Sequence, residues 1–143
     1  MSAIKLLTLA MLIQISVPAL AQEFKLEFGL IIQNEYGEPV GFEQTTEIPI
    51  KNSSAGSLYG LVVTSPQDKY FSLNSVHSLP KPEGGEAPQK IIGKTMIIQN
   101  RGAIFLRTDD EDIPGMYSME VYIDNKLHTV IQYELKNSYL ARK

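Results

Sequence analysis

The sequence contains no cysteine. This absence excludes disulfide bonds, thiolate-bound zinc and a thiol nucleophile together. Small secreted domains often depend on disulfides, so this chain must be held together by its apolar core. A chain of 143 residues with 43% hydrophobic side chains is long and apolar enough to bury such a core as one domain.

An excess of basic residues is also missing. The chain has 13 Lys and Arg residues against 16 Asp and Glu, which gives a net charge of −3. Its basic cluster is limited to Arg142 and Lys143 at the end of the sequence. Because a mildly acidic surface attracts neither DNA nor anionic lipid, we expect no nucleic-acid partner.

Recognisable catalytic and cofactor-binding patterns are absent as well. No serine stands in a G-x-S-x-G elbow, and Gly84-Gly85 precedes a predicted strand instead of the helix that follows a phosphate-binding loop. His77 and His128 are the only histidines, whereas a zinc site usually has three or four protein ligands. We therefore predict no catalytic residue and no cofactor, and we interpret both histidines as ordinary surface or loop residues. A Ser-His-Asp triad built from separated residues stays open, because triads are defined by geometry.

Asp109, Asp110, Glu111 and Asp112 form the most conspicuous polar cluster. Calcium prefers carboxylate oxygens, so Asp109, Asp110 and Asp112 are weak candidates for a calcium site. Their spacing differs from the alternating D-x-D-x-D-G of a calcium loop. The simpler interpretation is a solvated turn that precedes Pro114-Gly115.

The first 21 residues have the pattern of a secretory signal. Lys5 supplies the positive start, residues 6–17 form an apolar stretch, and Pro18 ends it. Ala19-Leu20-Ala21 then matches the A-x-A site of signal peptidase. The apolar stretch is shorter than the roughly 20 residues that span a bilayer. We therefore predict cleavage, no stable membrane insertion afterwards, and a periplasmic or secreted mature chain.

The mature part of the chain consists of predicted short strands separated by turns. Apolar and polar residues alternate with a period of two, and no segment keeps a 3.6-residue period. Pro49 marks a strand end or a sheet edge, and the strand at 58–64 is predicted to be central because it is apolar on both faces except at Gly60. The predicted strands cover residues 24–32, 40–50, 58–64, 70–78, 90–99, 103–108, 117–123 and 127–133.

The final hairpin has the clearest register. A three-residue loop at 124–126 keeps all inward candidates on one face, and a slipped register would mix the two faces. Asn125 or Lys126 is expected to take the positive-φ position of this loop. His128 then lies on the outward face. The predicted pairs are Ile123 with Leu127, Val121 with Thr129, Met119 with Ile131, and Tyr117 with Tyr133.

Seven or eight strands separated by turn signals indicate an all-β protein with an antiparallel sandwich. We place this domain at residues 22–136, after the signal peptide at 1–21 and before a C-terminal tail at 137–143.

Two stretches resemble a known family. Thr46-Glu47-Ile48-Pro49, followed by Gly56-Ser57-Leu58-Tyr59-Gly60, is similar to a run in the bacterial family of unknown function numbered 3859, and so is the stretch from Pro114 to Tyr122. Tyr117 stands where that family usually has Trp, and Asn125 where it usually has Gly. The resemblance implies an immunoglobulin-like sandwich and brings no activity with it.

The Pro-containing segment at 79–88 is the best candidate for an interaction surface, because loops carried on rigid sandwiches often bind partners. The exposed edge strands of the sheets are a second candidate. The sequence therefore favours an exported, non-catalytic domain that acts through contacts with another exported protein. The alternative is a small periplasmic enzyme, or a metal- or ligand-binding module, whose site is built from separated residues.

Overall fold

The computed structural model describes residues 23–50, 56–81 and 89–137. The predicted signal peptide, residues 82–88 of the Pro-containing segment and most of the predicted tail lie outside the described residues. None of the described residues belongs to a helix that could cross a bilayer. The described chain forms ten strands: β1 (Lys25–Gln33), β2 (Pro39–Gln44), β3 (Glu47–Pro49), β4 (Leu58–Thr64), β5 (Tyr70–Ser78), β6 (Lys90–Ile92), β7 (Met96–Gln99), β8 (Arg101–Arg107), β9 (Gly115–Ile123) and β10 (Lys126–Lys136).

The strands form two sheets. Sheet A has the order β2-β1-β4-β8, and sheet B has the order β3-β10-β9-β5-β6, with β7 also paired to β5. The predicted all-β architecture is therefore confirmed, and β4 is an inner strand as expected. The antiparallel expectation fails at one place, because β3 pairs with β10 in parallel. Pro49 ends β3 at that edge, as its missing N–H predicts.

The strand count is higher than the predicted seven or eight because two predicted strands are each divided. The stretch at 40–50 changes sheets: Thr45 N donates to Phe28 O of sheet A (3.3 Å), and Thr46 O accepts from Glu134 N of sheet B (2.8 Å). The stretch at 90–99 is interrupted at 93–95. There, three residues lie opposite only Asn74 and Ser75 of β5. An extra residue of this kind breaks a ladder locally, and the division is invisible to hydrophobic patterning.

The core lies between the inner faces of the two sheets. Alternation along β4 turns Leu61 and Val63 inward, and alternation along β9 turns Met119 and Val121 towards them. Each side chain of this kind, once fully buried, contributes about 1.5–3 kcal/mol. The side chains that are no more than 1% exposed are Ile48, Leu61, Val63, Leu73, Met119, Val121 and Leu135, together with the polar Thr108.

The final hairpin confirms three of the four predicted pairs and corrects the fourth. Ile123 pairs with Lys126, so the loop has two residues, Asp124 and Asn125, with φ of 52° and 65°. Two positive φ angles are typical of a type I′ turn, which matches the strand twist. A register shift between Leu127 and Thr129 then restores the predicted pairing. Leu127 consequently lies outside the core, 55% exposed, contrary to the expected inward position.

The strand order is that of an immunoglobulin-like sandwich. Sheet A contains the neighbours β1-β4-β8 and sheet B contains β10-β9-β5, which reproduce the A-B-E and G-F-C arrangements of that fold. Tyr117, at the start of β9, donates its hydroxyl hydrogen bond to Ile113 O at 2.7 Å. This is the tyrosine corner of immunoglobulin-like domains, which fixes the crossing from one sheet to the other.

Candidate functional site

A shallow groove lies at one end of the outer face of sheet B, where β5 ends and β9 begins. Its volume is about 340 Å³. The groove is lined by Ser78, Leu79, Pro80, Lys81, Met116, Tyr117, Ser118 and Gln132.

Strand alternation explains why the floor of the groove is polar. Tyr117 and Tyr133 turn inward to the core. Their neighbours Ser118 and Gln132 therefore turn outward, and these two residues pair across β9 and β10. Ser78 of β5 pairs with Ser118 and extends the same row. Three hydrogen-bonding side chains thus lie side by side across three strands.

The rim of the groove is apolar on both sides and cationic at one end. Met116 is 56% exposed and presents a long apolar side chain to solvent. Pro80 lies beside Gly115 of β9. A Cβ added to Gly115 would be in van der Waals contact with Pro80, 3.5 Å from its Cγ. Lys81 lines the groove beyond Pro80 and brings a positive charge. The groove can therefore hold an apolar side chain next to a negatively charged or hydrogen-bonding group.

The segment from 79 to 88, predicted to be the best interaction candidate, begins at this groove. Leu79 N donates to Gln89 O at 2.9 Å, so the segment leaves and returns at adjacent positions of β5 and β6. Its first three residues line the groove. Met116 and Gln132 come from other strands and were not predicted to be part of this surface. For Gln132 the available signal was its outward position in the predicted final hairpin, whereas Met116 directly precedes the predicted strand at 117–123.

Three tyrosines lie beneath the groove. The rings of Tyr117 and Tyr133 are stacked with centroids 5.6 Å apart, and the ring of Tyr59 lies 5.5 Å from that of Tyr133. Burial, followed by the negative charge of Asp112, raises the pKa of Tyr117 to about 12. Burial and the adjacent Tyr133 raise the pKa of Tyr59 well above its usual range. The pKa of each hydroxyl is raised, so all three stay protonated at neutral pH, and their rings pack against one another in the core.

The acidic cluster organises its own turn. The carboxylate of Asp109 accepts a hydrogen bond from Glu111 N at 2.6 Å, and that of Asp112 accepts one from Asp109 N at 2.8 Å. Within the residues that the structure describes, no group of three or more His, Cys, Asp or Glu side chains is arranged to hold a metal ion. The calcium assignment of Asp109, Asp110 and Asp112 therefore stays a prediction.

The two histidines occupy different environments. His128 is exposed on the final hairpin, as predicted, and its ring lies 6.1 Å from that of Phe24. The interpretation of His77 as a surface or loop residue is wrong, because it lies in β5, 9% exposed, with Nε2 2.8 Å from Ser75 Oγ. It continues the buried alternation that begins at Phe71 and Leu73. That period was the signal that could have placed it inside.

No protein family matches the sequence. No curated protein matches it either.

Among solved structures, the chain is similar to an immunoglobulin-like protein from Pseudomonas aeruginosa, with a TM-score of 0.48, 17% identity, and coverage of 82% of this chain and 100% of that chain. It is also similar to part of the alkylpurine DNA glycosylase AlkC from Pseudomonas fluorescens, with a TM-score of 0.41, 13% identity, and coverage of 80% of this chain and 30% of that chain. A third similarity is to part of a β-glucosidase from Listeria innocua, with a TM-score of 0.45, 11% identity, and coverage of 81% of this chain and 16% of that chain. The chain spans less than a third of either enzyme.

Proposed function

We propose that this chain is an exported, non-catalytic immunoglobulin-like domain that binds another exported protein through the groove between Pro80 and Met116. The observation that carries the proposal is the rim of the groove. There, a mostly exposed methionine and a proline border a polar floor, and a lysine stands at the end. Unbranched, polarizable methionine side chains are common at surfaces that bind protein partners.

The chemistry of the groove defines the partner segment. An apolar side chain of the partner would contact Met116 and Pro80, and a carboxylate beside it would face Lys81. The row of Ser78, Ser118 and Gln132 offers hydrogen bonds to a partner backbone. A contact centred on an apolar anchor and bordered by polar groups is typical of protein recognition sites. We also propose that the chain is a member of the bacterial family of unknown function numbered 3859. This part of the proposal rests on the sequence resemblance.

The enzyme alternative has less support among the described residues. Ser75 and His77 are the one serine–histidine pair at hydrogen-bond distance there, 2.8 Å apart. They are 3% and 9% exposed. A nucleophile and its base must reach a substrate, and a pair buried at this level lies away from any substrate.

Site-specific photo-crosslinking in the producing cell tests the proposal. A photoreactive side chain at position 116 is expected to crosslink one defined exported protein. The same group at position 127 is the matched control, because Met116 and Leu127 are 56% and 55% exposed on the same sheet. Lys81→Glu is expected to abolish the crosslink at 116, because it places like charges together. Equal crosslinking at both positions, or none at 116, would contradict the groove assignment.

Export is tested separately by fractionation. We expect the intact mass of the protein from the periplasm or medium to correspond to a chain that begins at Gln22. A cytoplasmic protein that retains residues 1–21 would show that the compartment is wrong, whatever the groove binds.

A further inference from the structure

Two exposed strands lie on opposite sides of the sandwich and carry opposite charges. β2 is the edge of sheet A beside β3, to which it connects through residues 45–46. β6 and β7 form the edge of sheet B, and β7 connects through Asn100 to β8 at the far side of sheet A. The two edges therefore face away from each other.

The β2 edge is apolar with acidic flanks. All six residues of β2 are exposed, including Val40 at 61% and Phe42 at 37%. Glu38 precedes the strand and Glu43 lies within it, and both are exposed. A strand that is exposed along its whole length has an unpaired edge available to another strand.

The β6 edge is apolar with basic flanks. All three residues of β6 are exposed, and Ile92 reaches 74%. Lys90 begins the strand and Lys94 follows it. Lys90 lies 3.9 Å from Glu120, but its side chain is still 65% exposed. A surface pair at this distance contributes little, so it does not prevent Lys90 from facing a partner.

The hydrogen bonds within each sheet decide which peptide groups point outward. In β2, Thr45 N donates to Phe28 O, so by alternation Phe42 and Gln44 turn their peptide groups away from β1. In β6, Gly93 N donates to Ser75 O, so Lys90 and Ile92 turn theirs away from β5. An antiparallel pairing can then place Phe42 opposite Ile92 and Gln44 opposite Lys90, with Glu38 and Lys94 at the same end.

We propose that the β2 edge of one copy of this chain pairs with the β6 edge of a second copy. Between these two edges the charges favour the mixed pairing over self-pairing, because β2 against β2 would bring glutamates together and β6 against β6 would bring lysines together. β8, the other edge of sheet A, has Arg101 and Arg107 at its ends, and its antiparallel self-pairing would place these arginines opposite each other. The contact joins two different surfaces, so it builds head-to-tail chains rather than a closed dimer.

Sedimentation equilibrium of the purified protein over a concentration series tests this pairing. A contact of a few residues lies at the weak end of protein interfaces, so the dissociation constant is expected to be on the order of 0.1–1 mM. The average mass should rise with concentration beyond that of two copies. A protein that stays monomeric at about 1 mM, or that stops at two copies, would overturn the proposal.

Two charge-reversal variants sharpen the test. The double variant Glu38→Lys/Glu43→Lys reverses the charge of the β2 edge. The double variant Lys90→Glu/Lys94→Glu reverses the charge of the β6 edge. Each alone should be monomeric, with a melting curve like that of the original chain. A mixture of the two should associate again into chains in which the two variants alternate, because the intact β2 edge of one meets the intact β6 edge of the other and the two reversed edges are complementary as well. A monomeric mixture, or variants that associate like the original chain, would refute the pairing. Met116→Asp in the groove should leave association unchanged, which separates this inference from the proposed function.

Discussion

Two groups of buried polar side chains in this sandwich differ in how completely their hydrogen bonds are satisfied. At the junction of β3, β4 and β8, the Thr108 hydroxyl donates to Ile50 O and accepts from Ser57 N, and Ser57 Oγ donates to Pro49 O at 2.6 Å. In β5, Ser75 and His77 contact each other, and His77 Nδ1 is buried without a partner. Among the described residues it is the only buried side-chain nitrogen or oxygen of that kind.

The first group ties together segments that are distant in sequence. Thr108 lies 58 residues from Ile50 and 51 from Ser57, and its bonds join the ends of three strands from both sheets. Gly56 permits this close approach: its φ is 82°, and a Cβ there would lie 2.2 Å from Thr108 O. The junction therefore depends on a hydroxyl at 108 and on the absence of a side chain at 56.

The second group, Ser75 and His77, makes protonation of the buried imidazole unfavourable. Burial lowers the pKa of His77, because the imidazolium loses its hydration without gaining an opposite charge. The comparison teaches that buried polar groups of similar exposure act differently. A satisfied hydroxyl fixes the strand ends at every pH, whereas an unsatisfied imidazole makes stability depend on pH.

The largest effect is expected at the junction. Thr108→Ala leaves Ile50 O and Ser57 N buried without their partner, so unfolding free energy should fall by about 2–3 kcal/mol. Chemical denaturation measures this loss. Thr108→Ser is the matched control, since it keeps the hydroxyl and should cost about 1 kcal/mol for the lost methyl group. Equal losses in both variants would show that packing, and not hydrogen bonding, holds the junction.

The pH dependence of stability tests the second group. An unfolded histidine binds its proton near pH 6.5, and folded His77 binds it only at lower pH. The unfolded state therefore takes up more protons as pH falls below about 6.5, and stability is lost by at most about 1.4 kcal/mol per pH unit until the folded pKa is passed. Stability contributed by neutral His77 is fully present above that window.

Denaturation curves from pH 7.5 down to 5 measure this slope. His77→Phe should remove the contribution, while His128→Phe, at the exposed histidine, should keep it. An unchanged slope in His77→Phe would assign the acid sensitivity to other groups.

A smaller effect is expected at the tyrosine corner. Tyr117→Phe keeps the ring on Tyr133 and removes the hydrogen bond to Ile113 O, so stability should fall by about 1 kcal/mol. Tyr122→Phe provides a control on the same strand, because the hydroxyl of Tyr122 donates to the Glu120 side chain at 2.7 Å and not to the backbone of a corner. If both substitutions lowered the unfolding free energy by the same small amount, the tyrosine corner would contribute packing alone.

Much of the fold could be predicted because its signal is local. Period-two alternation located β1, β5, β9 and β10 closely, the run at 58–64 that is apolar on both faces located β4, and the buried set on β9 fixed most of the hairpin register. The turn at Asp124 and Asn125 was placed one residue too long, because burial of one face does not distinguish a two-residue turn followed by a bulge from a three-residue loop. His77 was misplaced because it was interpreted from the number of ligands that a zinc site needs, and not from its position in the period of the predicted strand at 70–78.

The candidate site could be predicted only in part, since its residues come from three strands. The segment at 79–88 was identified from its prolines, but Met116 and Gln132 reach it only through the pairing of β9 with β5 and β10. The acidic residues at 109–112 were conspicuous in the sequence, and in the structure the carboxylates of Asp109 and Asp112 accept hydrogen bonds from the backbone of their own turn.

The sequence by itself determined that this protein is built of strands around one apolar layer, because side-chain alternation along a strand is a property of adjacent residues. Only the tertiary structure decided where the chain changes sheets at Thr45 and Thr46, which polar groups are buried, and which edges face solvent. Those outcomes depend on contacts between residues far apart in the chain, and a hydrogen bond such as that between Thr108 and Ile50 leaves no local pattern.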